Sequence, residues 1–392
     1  MLDSVQGGLG SVLAEDGRPD DFALEGNAAE PGLGQGDDGP MADSLPCMVG
    51  PSAAPDAIQW ESIQGCGAHG CRGSGGVCGP ADDRCGDPCF DAGGTPCGSE
   101  HGGCRPGCLW AIQAEALVLW RNNFDGQPLL TASDGAVALD AGDVQTAAAA
   151  GPRIGLLRSL GSGRAIEGNY FNVGGIQGRT FTDGKGAPYT PAGLANLPFT
   201  DIESAEYSTR GQIKSAELNY RWCDGGRIIW LAGVRWVEWN EVAAVDMRSE
   251  TPSAGGNDIR TTTGNDLYGG QFGCRLRFWN WGKWQAGAVG KAGVFGNSAY
   301  QRTTVLVDSD PFGPLAANDT TAAFFGEVGI NSTIWLNSWL AWRLGYNFFW
   351  LQGVATAAQQ FSLNNFGSDT ASIDSNAAVF LQGVSTGLEA RW

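Results

Sequence analysis

The amino-acid sequence predicts an all-β fold: a ten-stranded antiparallel up-and-down transmembrane β-barrel over residues 110–392, preceded by a disordered and cysteine-rich N-terminal arm. Three observations predict it. Apolar and polar residues alternate with a period of two through ten segments, which is typical of strands with two chemically different faces. Long and short connections between these segments alternate strictly, as in barrels of the outer membrane. Tryptophans gather at the segment ends, and 14 of the 15 lie beyond residue 109.

Composition and charge exclude several classes of protein. The chain has 392 residues and a formal net charge of −18, of which residues 1–109 carry −13 and residues 110–392 carry −5. Nucleic-acid binding needs a basic footprint, so no nucleic-acid partner is expected. No run of about 18 apolar residues occurs, so no transmembrane helix is expected. Nucleotide-binding and zinc-protease motifs are also missing from the sequence.

Residues 1–46 are predicted to be a disordered acidic segment. They mix Gly, Asp, Glu, Ala and Pro without a period of 2 or 3.6. A segment of this composition buries too little apolar surface to offset its chain entropy. Met1 is followed by neither a basic start nor an apolar core of about 7–15 residues, so we expect no export signal within this chain.

Residues 47–109 form a cysteine- and glycine-rich segment. It contains nine of the eleven cysteines, all of them disulfide candidates: Cys47, Cys66, Cys71, Cys78, Cys85, Cys89, Cys97, Cys104 and Cys108. Such a segment has no hydrophobic core, so disulfides are expected in an oxidising compartment. The odd number leaves one thiol for Cys223, for a partner chain or unpaired. A zinc site with His69 and His101 is the weaker alternative because no CxxC pair occurs. We therefore expect no metal and no cofactor.

Ten segments beyond residue 109 are the predicted strands. They are residues 110–121, 151–160, 164–173, 211–222, 227–240, 265–279, 284–296, 322–336, 339–353 and 378–392. Most are as long as the about 9–11 residues that a tilted strand needs to cross a bilayer. The predicted long connections are residues 122–150, 174–210, 241–264, 297–321 and 354–377, and the short turns are 161–163, 223–226, 280–283 and 337–338. Short turns lie on the periplasmic side of bacterial barrels, and both ends of the barrel region fall on that side.

The apolar face of each segment is predicted to point outward to lipid. Trp342, Tyr346 and Phe348, for example, share this face in the ninth segment. Aromatic rings prefer the level of the lipid headgroups. The predicted membrane-interface aromatics are Trp110, Trp120, Trp222, Trp236, Trp281, Trp284, Trp339, Trp342, Trp350 and Trp392.

The opposite face is polar and is predicted to line the lumen. Its charged members are Glu115, Glu167, Glu217, Arg221, Arg235, Arg275, Arg277, Lys291, Glu327, Arg343, Glu389 and Arg391. Seven are basic and five acidic, so a pore lined by them would have weak ion selectivity. Ten strands enclose little more space than eight. Two interpretations therefore stay open: a salt-bridged interior that fills the lumen, or a narrow aqueous pore.

Catalysis is not expected from residues 110–392. Both histidines of the chain precede residue 110, and histidine is the most frequent general base of hydrolytic enzymes. We therefore expect no catalytic residue. The rival interpretation of the pattern is a secreted, soluble β-rich adhesin or matrix protein whose tryptophans form the core of a sandwich.

A family resemblance rests on four blocks of sequence: Trp110–Trp120, Ile213–Trp222, Ile229–Glu238 and Leu388–Trp392. Through them, residues 110–392 resemble planctomycete-type outer-membrane β-barrel proteins of porin-like character. The resemblance implies a single outer-membrane barrel with no catalytic residues to carry over. It also implies that Trp392 looks like the terminal signal that barrel-insertion machinery recognises.

These predictions combine into an outer-membrane β-barrel of a Gram-negative-type envelope, with its N-terminal arm in the periplasm. The expected roles are envelope structure, porin-like passage of small solutes through a narrow charged lumen, or both. The expected partners are outer-membrane lipids, the insertion machinery and, through the cysteine-rich arm, other envelope proteins.

Overall fold

The protein is built around one large antiparallel sheet. The structure is a computed structural model, and it describes residues 110–122, 126–161, 163–184, 189–191, 202–223, 227–249 and 256–392. The predictions for residues 1–46 and 47–109, including the nine clustered cysteines, lie outside the described residues.

Sixteen strands occur within the described residues. They are β1 (Trp110–Asn122), β2 (Pro128–Ala132), β3 (Val137–Asp140), β4 (Gln145–Thr146), β5 (Ala149–Gly161), β6 (Arg164–Thr182), β7 (Tyr189–Pro191), β8 (Ile202–Trp222), β9 (Ile228–Ser249), β10 (Asn257–Trp281), β11 (Trp284–Val307), β12 (Asp310–Trp335), β13 (Leu340–Val354), β14 (Asn364–Asn365), β15 (Thr370–Ala371) and β16 (Ala377–Arg391). One short helix, α1 (Ala357–Gln360), and two 3₁₀ turns (Ala141–Asp143 and Phe361–Leu363) complete the described elements. No helix among them is long and apolar enough to cross a membrane.

Ten of the described strands close into a ring, in the order β8-β9-β10-β11-β12-β13-β16-β1-β5-β6. β6 pairs with β8 and completes the circle. β1 and β16, the first and last strands, are neighbours from Ala111 opposite Arg391 to Asn122 opposite Phe380. Trp110 and Trp392 exchange two backbone hydrogen bonds of 3.1 Å at the end of this pair. The prediction of an antiparallel ring of ten strands is confirmed. The sequence did not predict the four short strands β2, β3, β4 and β7 that extend the same sheet.

Tight turns join the strands at one end of the ring. Gly161 and Gly163 have φ values of 78° and 70°, and Gly282 between β10 and β11 has φ 58°. Glycine adopts this left-handed conformation without a steric penalty. Between β12 and β13, the side chain of Asn337 accepts hydrogen bonds from the backbone N–H groups of Trp339 and Leu340.

Three of the predicted long connections are wrong. Residues 297–321 belong almost entirely to β11 and β12, and the described part of 241–264 belongs almost entirely to β9 and β10. The described part of 174–210 likewise belongs almost entirely to β6, β7 and β8. Asp308 and Ser309 alone connect β11 to β12, with φ values of 52° and 70°. Successive residues with positive φ form the tight two-residue turns that match the twist of a hairpin.

The strands continue beyond the predicted segments, and there the apolar residues lie on the inner face of the ring instead of the outer face. Near the short turns, β9 points Val234 outward, 62% exposed, and Arg235 inward. Farther along the same strand, Val245 and Met247 point inward and are buried, while Arg248 is exposed. We call the part of the ring with an apolar outer face the belt, and the part beyond it, with an apolar inner face, the crown. The sequence analysis assigned strands by their apolar outer face, so each predicted strand ended where the apolar residues change from the outer to the inner face.

The interior of the ring holds an apolar layer between the belt and the crown. All ten ring strands contribute to it: Leu117, Leu119, Ala149, Phe171, Val173, Ile176, Ile213, Val237, Trp239, Leu267, Phe295, Ala323, Phe325, Phe349, Leu351, Val354, Ala377, Val379 and Leu381. Its largest members, Trp239, Phe325 and Phe349, are at most 1% exposed. The sequence analysis expected a polar lumen throughout, and this layer corrects it. A second apolar cluster, around Tyr207, Met247 and Phe361, fills the crown.

Candidate functional site

Small residues make room for charged side chains inside the belt. Gly387 lies between Glu115 on β1 and Arg343 on β13, opposite both in register. A Cβ atom on Gly387 would lie 2.1 Å from the carbonyl oxygen of Ala114, so only glycine fits there. Arg343 reaches across this glycine and donates to Glu115 at 2.8 Å. Alternation of small and large inward residues is how a narrow barrel accommodates long side chains.

One group of ion pairs lies near the short turns. Arg343 also donates to Glu389, at 2.5 Å, and Glu389 accepts from Arg391 at the same distance. The Arg391 guanidinium lies 4.3 Å from the ring centre of Trp335. Glu389 is 1% exposed. A carboxylate at this depth is stable only because two arginines neutralise it.

A second group surrounds Glu327 and Glu217, which lie deeper in the ring. Arg235 donates to Glu327 at 2.7 Å and lies 3.4 Å from Glu217. Lys291 pairs with Glu217 at 2.5 Å, and Arg153 pairs with Glu327 at 2.8 Å. Four of these side chains are buried, and Arg153 is partly exposed. Removing one partner from such a network costs about 3–5 kcal/mol because it leaves a buried charge uncompensated.

A third group surrounds Glu167 and is hydrogen-bonded to the second group. Arg221 donates to Glu167 at 2.7 Å, and Arg275 lies 3.6 Å from it. Asn169 donates to both Glu167 and Glu217, at 2.7 and 2.8 Å. Members of all three groups, among them Glu115, Glu167 and Glu327, line one cavity, so we treat the polar interior of the belt as a single cluster.

The structure brings the twelve predicted lumen residues together in this charged cluster. Eleven of them form the ion pairs described above, and Arg277 lines a cavity beside them. Sequence reasoning missed Arg153, which shares the inward face of Gly155 and Leu157. The two-residue alternation also places Arg153 on the inward face, but Gly151 and Pro152 interrupt the alternation near the start of β5.

Another buried pair, Arg121–Glu241, lies where the apolar layer meets the crown. The two side chains are 2.7 Å apart and almost fully buried. The hydroxyl of Thr209 also donates to Glu241, at 3.1 Å. Arg121 follows Glu115 by six residues, and Glu241 follows Arg235 by six. Each pair therefore shares a strand face, and the period of two predicts that Arg121 and Glu241 also point inward. The pair was missed because Glu241 was placed in a predicted loop.

The segment 354–377, predicted as a long connection, folds into the crown, and we call it the plug segment. Asn265 accepts from the backbone N–H of Ala355 at 2.7 Å and donates to its carbonyl at 2.8 Å. Asn297 donates to the Gly353 carbonyl at 2.9 Å, just before the segment. Gln301 donates to the side chain of Asn364 at 2.9 Å. β10 and β11 therefore hold the plug segment from the inside of the ring.

A small cavity lies among the side chains of the charged cluster. Its volume is about 40 Å³, and Arg153, Glu327 and Asn347 contribute to its lining. That is room for about three water molecules. Together with the apolar layer, this packing favours the filled interior over the open pore.

The ten predicted interface aromatics lie on the outer side of the ring. Trp281, Trp284, Trp339, Trp342, Trp350 and Trp392 are between 41% and 74% exposed. Trp110, Trp120, Trp222 and Trp236 are partly exposed. Trp236 donates through its indole N–H to Asp266 at 3.3 Å, and Lys214 pairs with Glu238 at 2.9 Å on the same side. These polar groups on the outer side lie at the end of the belt that is nearer to the crown.

No family model matches this chain. No curated protein matches its sequence, so the resemblance to planctomycete-type barrels stays a prediction. Solved structures do show similarity. The outer membrane protease OmpT of Escherichia coli is 10% identical at a TM-score of 0.38, covering 75% of this chain and 99% of its own. The toluene transporter TbuX of Ralstonia pickettii is 9% identical at a TM-score of 0.32, covering 73% and 90%. The outer membrane channel DcaP of Acinetobacter baumannii is 8% identical at a TM-score of 0.18, covering 72% and 96%. At these scores the likenesses assign neither a family nor an activity.

Proposed function

We propose that this chain is an outer-membrane β-barrel of a Gram-negative-type envelope, and that its filled interior makes it a structural protein of that membrane. The observation that carries the proposal is the change of faces along the strands. In the belt, apolar residues point out and charges point in. In the crown the arrangement is reversed, as a strand requires when it passes from lipid into water.

The belt has the dimensions of a membrane-spanning strand. Its outer face in β13 runs from Trp342 to Trp350, nine residues, and about 9–11 residues cross a bilayer at a tilt. Val294 and Val328 on neighbouring strands are 71% and 57% exposed. A continuous apolar surface of this kind marks an interaction with lipid or protein. It disfavours the soluble adhesin, which would bury its apolar faces in a core.

The interior supports one of the two expected roles. Passage of small solutes needs a continuous polar path, whereas the apolar layer receives side chains from all ten ring strands. The plug segment covers the crown side of that layer. We therefore favour envelope structure over porin-like passage.

Conductance in planar bilayers tests this choice. We expect the purified protein, checked by heat-modifiable migration on a gel, to insert without stable conductance steps. The double variant Phe325→Ala, Phe349→Ala removes two buried rings of the apolar layer and should produce steps. Phe324→Ala, Phe348→Ala changes the adjacent residues on the outer face and is the matched control.

Two outcomes would contradict the proposal. Stable steps from the unaltered protein would show an open lumen and restore the porin-like role. A sharp soluble monomer that never enters the bilayer would favour the soluble adhesin instead.

The further partners are also proposals. Trp392 is 60% exposed at the end of β16, where insertion machinery can reach it. The short-turn end, where β1 begins at Trp110, would face the periplasm. We propose that the cysteine-rich arm tethers the barrel to envelope proteins through disulfides. An apparent mass that is the same on reducing and non-reducing gels of native envelopes would contradict the intermolecular tether.

A further inference from the structure

A cavity at the short-turn end of the ring has a basic lining. Its volume is about 50 Å³, and four arginines from three strands line it: Arg275 and Arg277 on β10, Arg343 on β13 and Arg391 on β16. Gln285 and Asn331 add neutral polar groups. Among the described residues, no carboxylate belongs to this lining. The cavity is therefore a place where positive charge converges.

The charged cluster as a whole carries an excess of positive charge. With Arg153 it contains eight basic residues and five glutamates among the described residues. The glutamates are shared rather than matched one to one. Arg343 and Arg391 share Glu389, and Arg221 holds Glu167 closely while Arg275 remains 3.6 Å away. Like charges repel strongly in a buried, low-dielectric site, so an anion in the cavity would relieve this repulsion.

Two arginine donors beside the cavity lack an acceptor. The Nε atom of Arg275 and one terminal nitrogen of Arg391 are buried, and neither makes a hydrogen bond to any described residue. Buried N–H groups are almost always hydrogen-bonded in proteins. Guanidinium groups present several donors in a fixed plane that matches the oxygens of phosphate or carboxylate. The two arginine N–H donors without an acceptor therefore indicate a ligand with several acceptor oxygens and a negative charge.

We propose that this cavity binds a small free oxyanion, such as inorganic phosphate or sulfate. Its volume equals about four water-sized groups, which suits one tetrahedral oxyanion. The ring wall separates it from lipid headgroups, so the ligand comes from the aqueous phase at the short-turn end. The apolar layer closes the opposite side, so the cavity is a binding site and not a step in a passage.

Calorimetric titration of the full chain in detergent, with sodium phosphate in a low-chloride buffer, tests the proposal. We expect saturable binding of one phosphate per chain. Arg277→Gln removes one arginine, leaves the ion pairs of Glu167 and Glu389 in place, and should weaken binding about tenfold. Arg164→Gln removes an exposed arginine at the same end of the ring and should leave binding unchanged.

A second variant separates loss of the site from loss of the fold. Gln285→Glu keeps the shape of the side chain and places a carboxylate among the four arginines. It should abolish phosphate binding without lowering the thermal stability of the barrel. The proposal fails if the unaltered protein shows no saturable heat, or if Arg277→Gln and Gln285→Glu bind phosphate as well as Arg164→Gln does.

Discussion

At the scale of single residues, the belt exposes apolar side chains on its outer side and buries charged side chains on its inner side, the reverse of a soluble protein. Phe348 is 49% exposed on the outer side of β13, while Glu327, on the neighbouring strand β12, is 1% exposed on the inner side. Each arrangement would destabilise a soluble protein. The proposed membrane location explains the first through contact with lipid, and Arg235 and Lys291 around the carboxylate explain the second.

Phe348→Arg tests the lipid contact. A charge at a lipid-facing position near the middle of a barrel costs about 2–4 kcal/mol. We expect the variant to lose heat-modifiable folded protein from the membrane fraction. Phe181→Arg is the control, since Phe181 is 76% exposed in the crown and lies opposite Glu206. Equal losses from both variants would contradict a belt in lipid.

A carboxylate pair in the crown predicts a pH dependence. Partial burial and the facing Asp246 raise the pKa of Asp258, against the opposing effect of Arg260. A raised pKa means that the folded state favours the protonated acid, so Asp258 contributes stability at low pH and loses it as pH rises through that pKa.

Asp258→Asn should therefore raise Tm at pH 7 by about 1–2 °C. The gain should vanish at a pH where Asp258 of the unaltered protein is protonated. Thermal unfolding at both pH values measures it. Asp310→Asn, at an exposed position of the same end, should show no such difference, and a pH-independent gain for Asp258→Asn would argue against the carboxylate pair.

The sequence predicted a residue of the candidate site wherever a charged side chain occupied an inward position of the two-residue alternation. Glu115, Arg235 and Arg343 lie on inward faces that the alternation of two identifies directly. The pairing partners could not be predicted, because they depend on the stagger between strands. Arg153 and Glu327, for example, are on strands that are not neighbours, and they meet only across the closed ring.

At the scale of elements, several strands are longer than the proposed membrane span requires. β12 has 26 residues and β10 has 25, against the about 9–11 that cross a bilayer. The sequence predicted the part of each strand that lies in the belt, and the prediction stopped where the apolar residues change faces. Threonine, asparagine and glutamine inside the crown, such as Thr261 and Gln301, weakened the apolar signal further. The plug segment could not be predicted because its hydrogen bonds come from side chains on distant strands.

Asn265→Leu tests how the plug segment is held. The substitution keeps the number and branching of the side-chain heavy atoms but removes the two hydrogen bonds to the backbone of Ala355 and leaves those groups buried without partners. An unmet buried group costs about 1–3 kcal/mol. We expect faster proteolysis and hydrogen exchange within residues 354–377 while the ring remains folded. Asn318→Leu, on the exposed face of β12, should leave both rates unchanged; an unaltered plug segment in Asn265→Leu would contradict the assignment.

At the scale of the whole molecule, residues 110–392 contain every contact that closes the ring. β1 pairs with β16 over twelve residue pairs. Removal of residues 1–109 should therefore leave a barrel with the same heat-modifiable migration and the same Tm within about 2 °C. Far-UV circular dichroism and a thermal scan measure this. A shortened chain that fails to fold would show that the arm stabilises the barrel.

The pairing of β1 with β16 also constrains the kinetics of assembly. These strands are about 270 positions apart in sequence, and contacts between such distant segments form slowly because a long loop must close first. Until β16 arrives, the growing wall has two free edges with unpaired N–H and C=O groups, which invite pairing with other chains. Pairing of the fifteen residues of β16 with both β13 and β1 is therefore the step that removes these edges, and a chain in which this pairing fails keeps two edges that promote aggregation.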